Sequence, residues 1–233
     1  MSGVLYGVGV GPGDPELVTR KAARLIAGAR VIAYPTLAGA PSFARAIVAD
    51  LIPGDAEEIV MDLPMRAARE PAQAVYDDGA ARIAAALEAG RDVVCLCEGD
   101  PFFYGSFMYL YARLRDRHAV EVVPGVSSVM AGAARAGLPL AARNERLTVL
   151  PGPLPEPELR ARIDGAEAVA ILKVGRHLPK IRAVIRDLGL EPRAIYVERA
   201  TLAAERICPL SEAPEKAPYF SMILLNKGDD PWL

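Results

Sequence analysis

The sequence predicts an α/β protein built as two αβα domains, and three observations carry that expectation. Short apolar runs rich in Val, Ile and Leu alternate with amphipathic stretches along the whole 233-residue chain, the rhythm of repeated βα units. Some runs, such as 92–97, are continuously apolar, which suits strands covered on both faces of a largely parallel sheet. An apolar helical stretch ends at Gly137, Pro139 interrupts, and the polar run Arg143-Asn144-Glu145-Arg146 follows. That change of composition places a boundary near 138–146 and assigns 1–142 to one domain and 143–233 to the other.

In chain order, residues 5–10 read as a strand and 17–27 as a helix. A strand at 30–34 leads to a helix at 43–51. Val75, Ile83 and Leu87, with alanines between them, make 75–89 helical. Strand 92–97, helix 106–114, strand 120–123 and helix 127–136 complete the first half. The second half continues with strand 148–150, helix 157–163, strand 168–173, helix 178–188, strand 194–198 and a last strand at 220–225. Ligands of open α/β sheets sit at the C-terminal ends of the strands, here expected in a cleft between the two domains.

Composition narrows the function. Twenty-seven basic against 29 acidic residues leave a net charge of −2, no footprint for DNA or RNA. No run approaches the ~18 apolar residues that a membrane-spanning helix needs. The start lacks a basic segment, and Asp14 and Glu16 arrive early, so a secretory signal is not expected. Cys95 and Cys97 fall on one face of a strand and read as buried free thiols of a reducing compartment. These features predict a cytoplasmic protein with no membrane and no nucleic-acid partner.

Glycine-rich turns are the chemical signal. Gly7-Val-Gly9-Val-Gly11-Pro-Gly13-Asp14 follows the first strand, where glycine permits tight turns and close approach to a ligand. A dinucleotide fingerprint fails in all three registers, since its last glycine falls on Pro12, Asp14 or Glu16. No phosphate-binding G-x-x-x-x-G-K-[ST] occurs. Asp14 and Glu16 stand where a helix start would otherwise hold phosphate, so the loop suits an uncharged or cationic ligand; capping by Asp14 is the structural alternative. A second loop, Cys97-Glu98-Gly99-Asp100-Pro101-Phe102-Phe103-Tyr104-Gly105, and a third, Pro124-Gly125-Val126-Ser127-Ser128, also follow strands and belong at the same sheet edge. With only His118 and His177 and no paired cysteine motif, no metal site is expected. Ser127 is not a nucleophile of the G-x-S-x-G type, because Val129 takes the last position. The acid pairs Glu57-Glu58, Asp77-Asp78 and Asp229-Asp230 read as solvated.

These loops have an order. G-x-G-x-G-P-G-D-x-x-L-x-T at 7–19, G-D-P-x-x-Y-G at 99–105 and P-G-V-S-S at 124–128 are followed by Val197-Glu198-Arg199-Ala200-Thr201 and Pro218-Tyr219-Phe220-Ser221. Together they resemble the tetrapyrrole methylase family over essentially the whole chain. The resemblance implies two αβα domains, a homodimer, and S-adenosylmethionine (SAM) in the interdomain cleft, released as S-adenosylhomocysteine. It implies that Pro12 lies near the cofactor and that Glu98, Gly99, Asp100 and Phe103 line its ribose and amino-acid end. Ser127 and Ser128 would contact it from the third loop, and Ala200, Pro218 and Ser221 would approach the adenine. Leu172 and Lys173 stand where many members carry a contacting methionine. For Asp100 the alternative to orienting the cofactor is a helix-capping role before Pro101.

Stretches 5–11, 98–110 and 173–176 further resemble the members that methylate precorrin-2 at C20. The anaerobic counterpart acting on cobalt-factor II, and other members such as the diphthine-forming enzyme, are the alternatives. Members acting on uroporphyrinogen carry an aspartate where this chain has Pro35, so no catalytic side chain is carried over. The implied chemistry is displacement of a sulfonium methyl by an electron-rich bridge carbon, which asks mainly for alignment. Tyr104 would face the substrate or pack as an ordinary aromatic. A carboxylate-rich tetrapyrrole calls for arginines at the opening, with Arg45, Arg66, Arg69, Arg176 and Arg199 as candidates.

Overall fold

The computed structural model describes residues 2–37, 39–64 and 69–228. The chain divides into two compact units, Met1–Ser127 and Ser128–Leu233. In the first, strands β1 (Val4–Gly9), β2 (Val31–Leu37), β3 (Glu57–Leu63), β4 (Val93–Cys97) and β5 (Ala119–Val123) alternate with helices α1 (Arg20–Ala27), α2 (Phe43–Ile47), α3 (Arg69–Glu88) and α4 (Phe107–Leu114). Its sheet is wholly parallel, in the order β3-β2-β4-β1-β5.

The continuous apolar run of β4 is a central strand buried on both faces. Val93, Cys95 and Cys97 face Ile83 and Leu87 of α3 and Phe107, Leu110 and Leu114 of α4. Val94 and Leu96 face the other layer, Ala22 and Ile26 of α1 and Ala44 and Ile47 of α2. Each large side chain so buried contributes ~1.5–3 kcal/mol. The two cysteines are buried free thiols, as the sequence indicates.

Local signals shift several boundaries. The helix expected at 17–27 is a short 3-10 turn, Pro15–Leu17, followed by a separate α1. Asp14 Oδ1 accepts from the Glu16 N–H at 2.8 Å to start the turn. Thr19 Oγ1 accepts from the Ala22 N–H at 3.2 Å to start the helix. A cap inside the stretch thus divides it. Strand β3 was not expected. It is an edge strand whose Ile59 and Met61 point inward while Glu58, Val60 and Asp62 take the alternate face, so far fewer of its residues are buried than in β4.

The second unit comprises α5 (Ser128–Ala136), β6 (Leu147–Pro151), α6 (Glu156–Asp164), β7 (Ala168–Leu172), α7 (Leu178–Asp187), β8 (Ala194–Glu198), β9 (Arg206–Pro209) and β10 (Ser221–Asn226). Its sheet, β6-β7-β10-β8-β9, is mixed rather than largely parallel. Only β6 and β7 run parallel; β10 is antiparallel to β7 and β8, and β8 to β9. The connections after β8 and β9 contain no α-helix, and a parallel return needs a crossover, usually helical. Strand β9, with Pro209 at a sheet edge, was not expected either.

Helices α6 and α7 cover one face of this sheet through Leu159, Ile163, Ile181 and Ile185. Helix α5 covers the other, Val129 and Ala133 packing with Ala170, Val197, Met222 and Leu224. That packing puts the division of the units between Ser127 and Ser128, ahead of α5, where the sequence reading placed it after the helix, at 142/143. An apolar helix face follows the sheet it buries, not the proline that ends it.

Candidate active site

Strands β1 and β4 are neighbours, and their connections leave in opposite directions: β1 leads to β2, and β4 leads past β1 to β5. This is a topological switch point, where open α/β sheets hold ligands. The loops leaving it are tied backbone to backbone. Val10 N–H donates to Cys97 O at 2.9 Å, Gly11 N–H to Gly99 O at 3.3 Å, and Gly99 N–H to Gly11 O at 2.8 Å. The loop after β5 joins the same junction. A Cβ on Gly125 would stand 2.0 Å from Gly99 O, and one on Gly9 would stand 2.6 Å from Gly125 N. No side chain fits where three backbones meet this closely. The expectation that the three glycine loops share one sheet edge is met.

Asp100 fastens the junction. Its Oδ2 accepts from Gly125 N–H at 3.1 Å and its Oδ1 from Phe102 N–H at 2.9 Å. Asp100 caps no helix, since α4 begins only at Phe107 after Ser106; its structural role is a tie between loops. Each oxygen still has a lone pair for a ligand donor. Glu98 has open surface, yet crowding around its carboxyl desolvates it and pushes its pKa up to about 7. Pro12 is buried, Ser127 is half-buried, and Phe102, Phe103 and Tyr104 are exposed. Phe103 and Tyr104 meet edge to face at 5.2 Å.

The segments 7–16, 97–106 and 124–128 contain acids, aromatics and small residues but no Lys or Arg. This donor set fits a sulfonium cation bearing an amino acid and a ribose, and it suits a polyphosphate poorly.

In the second unit another set gathers at one sheet edge. Leu172 ends β7, Ala200 follows β8, and Ser221 opens β10 opposite Glu198. Ser221 Oγ donates to Pro218 O at 2.7 Å and accepts from Gly175 N–H at 3.3 Å. Arg199 N–H donates to Phe220 O at 2.8 Å. Lys173 is exposed, Ala200 and Ser221 are buried, and Ser128 begins α5. Backbone strain collects in the candidate turns of both units. Tyr104, Lys173, Arg199 and Thr201 have φ of 58°, 56°, 49° and 70°, each a left-handed conformation costing ~1–3 kcal/mol that concentrates at functional sites.

Of the candidate arginines that the structure describes, Arg45 and Arg199 each pair with an acid of their own unit. Arg45 gives its fork to Glu58, Nε to Oε2 and Nη2 to Oε1, both at 2.8 Å. Glu58 also accepts from the Tyr34 hydroxyl. Arg45 holds the Glu58 carboxyl down at about 2, and burial, then Glu58, raises the Tyr34 phenol. Arg45 is thus engaged internally, and Glu58 is not the solvated acid that the sequence suggested. Arg199 Nη1 donates to Glu198 Oε1 at 3.0 Å, and Arg176 is exposed. Arg66 lies outside the described residues, as does the side chain of Arg69; the acid pair at 229–230 lies outside them too. Sequence reasoning missed the Tyr34–Arg45–Glu58 cluster because it missed β3. It also missed Glu205, which accepts from Thr201 N–H at 2.6 Å and for which the chain offers no motif.

A parallel sheet with ligand loops at its switch point, followed by a mixed-sheet unit, marks an α/β enzyme of the kind that holds a small cofactor. Residues 4–214 match the model of the Tetrapyrrole (Corrin/Porphyrin) Methylases, and the chain belongs to that family. These are SAM-dependent methyltransferases. The chain is 43% identical to a Sinorhizobium precorrin-2 C(20)-methyltransferase, over 99% of both proteins. It is 43% identical to the cobalamin biosynthesis protein CobIJ of Mycobacterium tuberculosis, over 97% of this chain and 46% of that one. It thus spans about half the length of that relative. It is 33% identical to the cobalt-precorrin-2 C(20)-methyltransferase of Salmonella typhimurium, over 97% and 98%. The uroporphyrin-III C-methyltransferase from Thermus thermophilus, solved with S-adenosylhomocysteine, is similar at a TM-score of 0.70 and 29% identity, covering 97% of this chain and 92% of that one. Among the described residues no helix is long and apolar enough to cross a membrane.

Proposed function

We propose that the chain methylates precorrin-2 at C20, with SAM as donor, in building the corrin ring. The observation that carries this reading is the junction of Gly9, Gly99 and Gly125, with its acid and aromatic donor set, in a chain so similar to a named precorrin-2 C(20)-methyltransferase.

SAM, when bound, supplies an electrophilic methyl group. The residues of this chain supply position. Pro12, Gly99, Phe103 and Ser127 line the cofactor on the first edge, with Glu98 and Asp100 as acceptors for ribose hydroxyls or the ammonium. Leu172, Lys173, Ala200, Pro218 and Ser221 bind it on the second edge, and Ser128 does so from the start of α5. Tyr104 faces the substrate, and Arg176 and Arg199 meet its carboxylates. Turns fixed in advance by backbone ties lose little freedom on binding, and alignment of this kind lowers barriers by up to ~7–11 kcal/mol in favourable cases. The protein works as a cytoplasmic homodimer.

Turnover with labelled SAM and either metal-free or cobalt-loaded precorrin-2 tests the reading. A C20-methylated product from the metal-free substrate is expected. Product from the cobalt-loaded substrate alone would place the chain on the anaerobic route, and no product from either would end the proposal.

A further inference from the structure

The turn that follows β8 is the most strained segment of the second unit. Arg199 and Thr201 have φ of 49° and 70°, and Thr201 is β-branched, the kind of residue for which this conformation is a true outlier. Between them Ala200 is only 6% exposed. The turn keeps this shape because several contacts over-determine it. Arg199 N–H donates to Phe220 O at 2.8 Å, Leu202 N–H to Arg199 O at 3.0 Å, and Glu205 N–H to Leu202 O at 2.9 Å.

A further contact is made by a side chain. Glu205 reaches back across the turn and Oε2 accepts from Thr201 N–H at 2.6 Å. Its carboxylate is in turn gripped by Arg135 of α5. Arg135 Nε donates to Oε1 at 2.9 Å and Oε2 at 3.1 Å, and Nη2 donates to Oε1 at 2.7 Å. The Glu205 side chain is 13% exposed and the Arg135 side chain 59% exposed. An open ion pair does little for stability, but a fork on a mostly covered carboxylate fixes its direction. Helix α5 packs on the same sheet through Val129 and Ala133, so the arginine is mounted on a rigid element.

We propose that Glu205, held by Arg135, is a positioning residue that keeps the Arg199–Thr201 turn in its strained shape so that the Ala200 backbone receives the cofactor's adenosine. The inference rests on the function proposed above and goes beyond it in assigning a role to two residues that need not touch any ligand. Strain held this firmly is retained where it serves a site. Without Glu205, the turn relaxes toward ordinary backbone angles and withdraws the Ala200 surface.

The test uses the full chain and measures S-adenosylhomocysteine affinity by calorimetry, alongside KM for SAM, KM for the tetrapyrrole, kcat and the thermal midpoint. Glu205→Ala is expected to weaken S-adenosylhomocysteine binding and raise the SAM KM by about tenfold to a hundredfold, while the tetrapyrrole KM stays within about twofold. Glu205→Gln keeps an acceptor for Thr201 N–H but loses the charged fork, so it falls between; it also serves if the alanine variant does not fold. Thr201→Gly in the Glu205→Gln background restores part of the affinity, because glycine adopts this φ unaided. A folded Glu205 variant with parental cofactor affinity, or one whose two KM values rise together, overturns the positioning role. If the parent itself fails to bind S-adenosylhomocysteine, the underlying function fails instead.

Discussion

Asp100 Oδ2 takes the Gly125 N–H at 3.1 Å while its Oδ1 takes that of Phe102 at 2.9 Å, so one carboxylate joins the loop after β4 to the loop after β5. Asp100→Ala leaves the Phe102 N–H to water and the part-buried Gly125 N–H without its acceptor. The expected cost is about 0.5–1.5 kcal/mol in urea unfolding, with weaker S-adenosylhomocysteine binding. Asp100→Asn retains one acceptor and loses less. Unaltered unfolding and affinity in the alanine variant would show that the tie has no energetic role.

Gly125 and Gly54 form a matched pair of tests. A methyl at Gly125 overlaps Gly99 O at 2.0 Å, whereas one at Gly54 meets nothing within 4 Å. Gly125→Ala has to separate the loops, so cofactor binding drops sharply while circular dichroism is retained. Gly54→Ala is neutral or stabilising by up to ~1 kcal/mol, through lost freedom of the unfolded chain. Equal cofactor affinity in the two variants would contradict the close crossing.

Glu98 sets a pH dependence. Desolvation raises its folded pKa from the ordinary 4.5 to about 7, so the folded state holds the proton more tightly than the unfolded chain. The stability it contributes is complete below about pH 4.5 and is lost as the pH rises to about 7. Glu98→Gln removes this term, so its thermal midpoint falls less than that of the parent between pH 5 and pH 8, set here as roughly bracketing the titration. Parallel midpoint curves for the two proteins would mean that the carboxyl titrates as in water.

Glu58 runs the other way. Arg45 lowers its pKa to about 2, so its contribution is present above the usual carboxylate range and disappears as the pH falls from about 4.5 to about 2. Glu58→Gln costs ~1 kcal/mol at neutral pH, a modest figure because both partners are partly exposed. The difference from the parent narrows in acid. Because Arg45 is already committed to Glu58, Arg45→Met alters this acid limb and leaves the tetrapyrrole KM unchanged; a large KM rise would return Arg45 to the substrate.

Legibility in the sequence followed burial. The run read at 92–97 was plain because every residue of β4, Val93–Cys97, is buried. The strand 57–63 was hidden because acids at 57, 58 and 62 flank and interrupt its short apolar run. The glycine loops were readable because close backbone crossing admits no other residue. Two site features were not readable. One is the grip of Arg135 on Glu205, 70 positions apart, which exists only once α5 lies on the second sheet. The other is the mixed pairing of that sheet, decided by the helix-free connections after β8 and β9.

Strand β10 lies between β7 and β8 and pairs with both. Without it the second sheet is two separate ribbons, β6–β7 and β8–β9. Until residues 221–226 have been made, β7 and β8 each lack the strand that pairs them into one sheet. A stop codon anywhere before Ser221 therefore yields a chain with its middle slat missing, a substrate for chaperones and proteases rather than a slightly shortened enzyme.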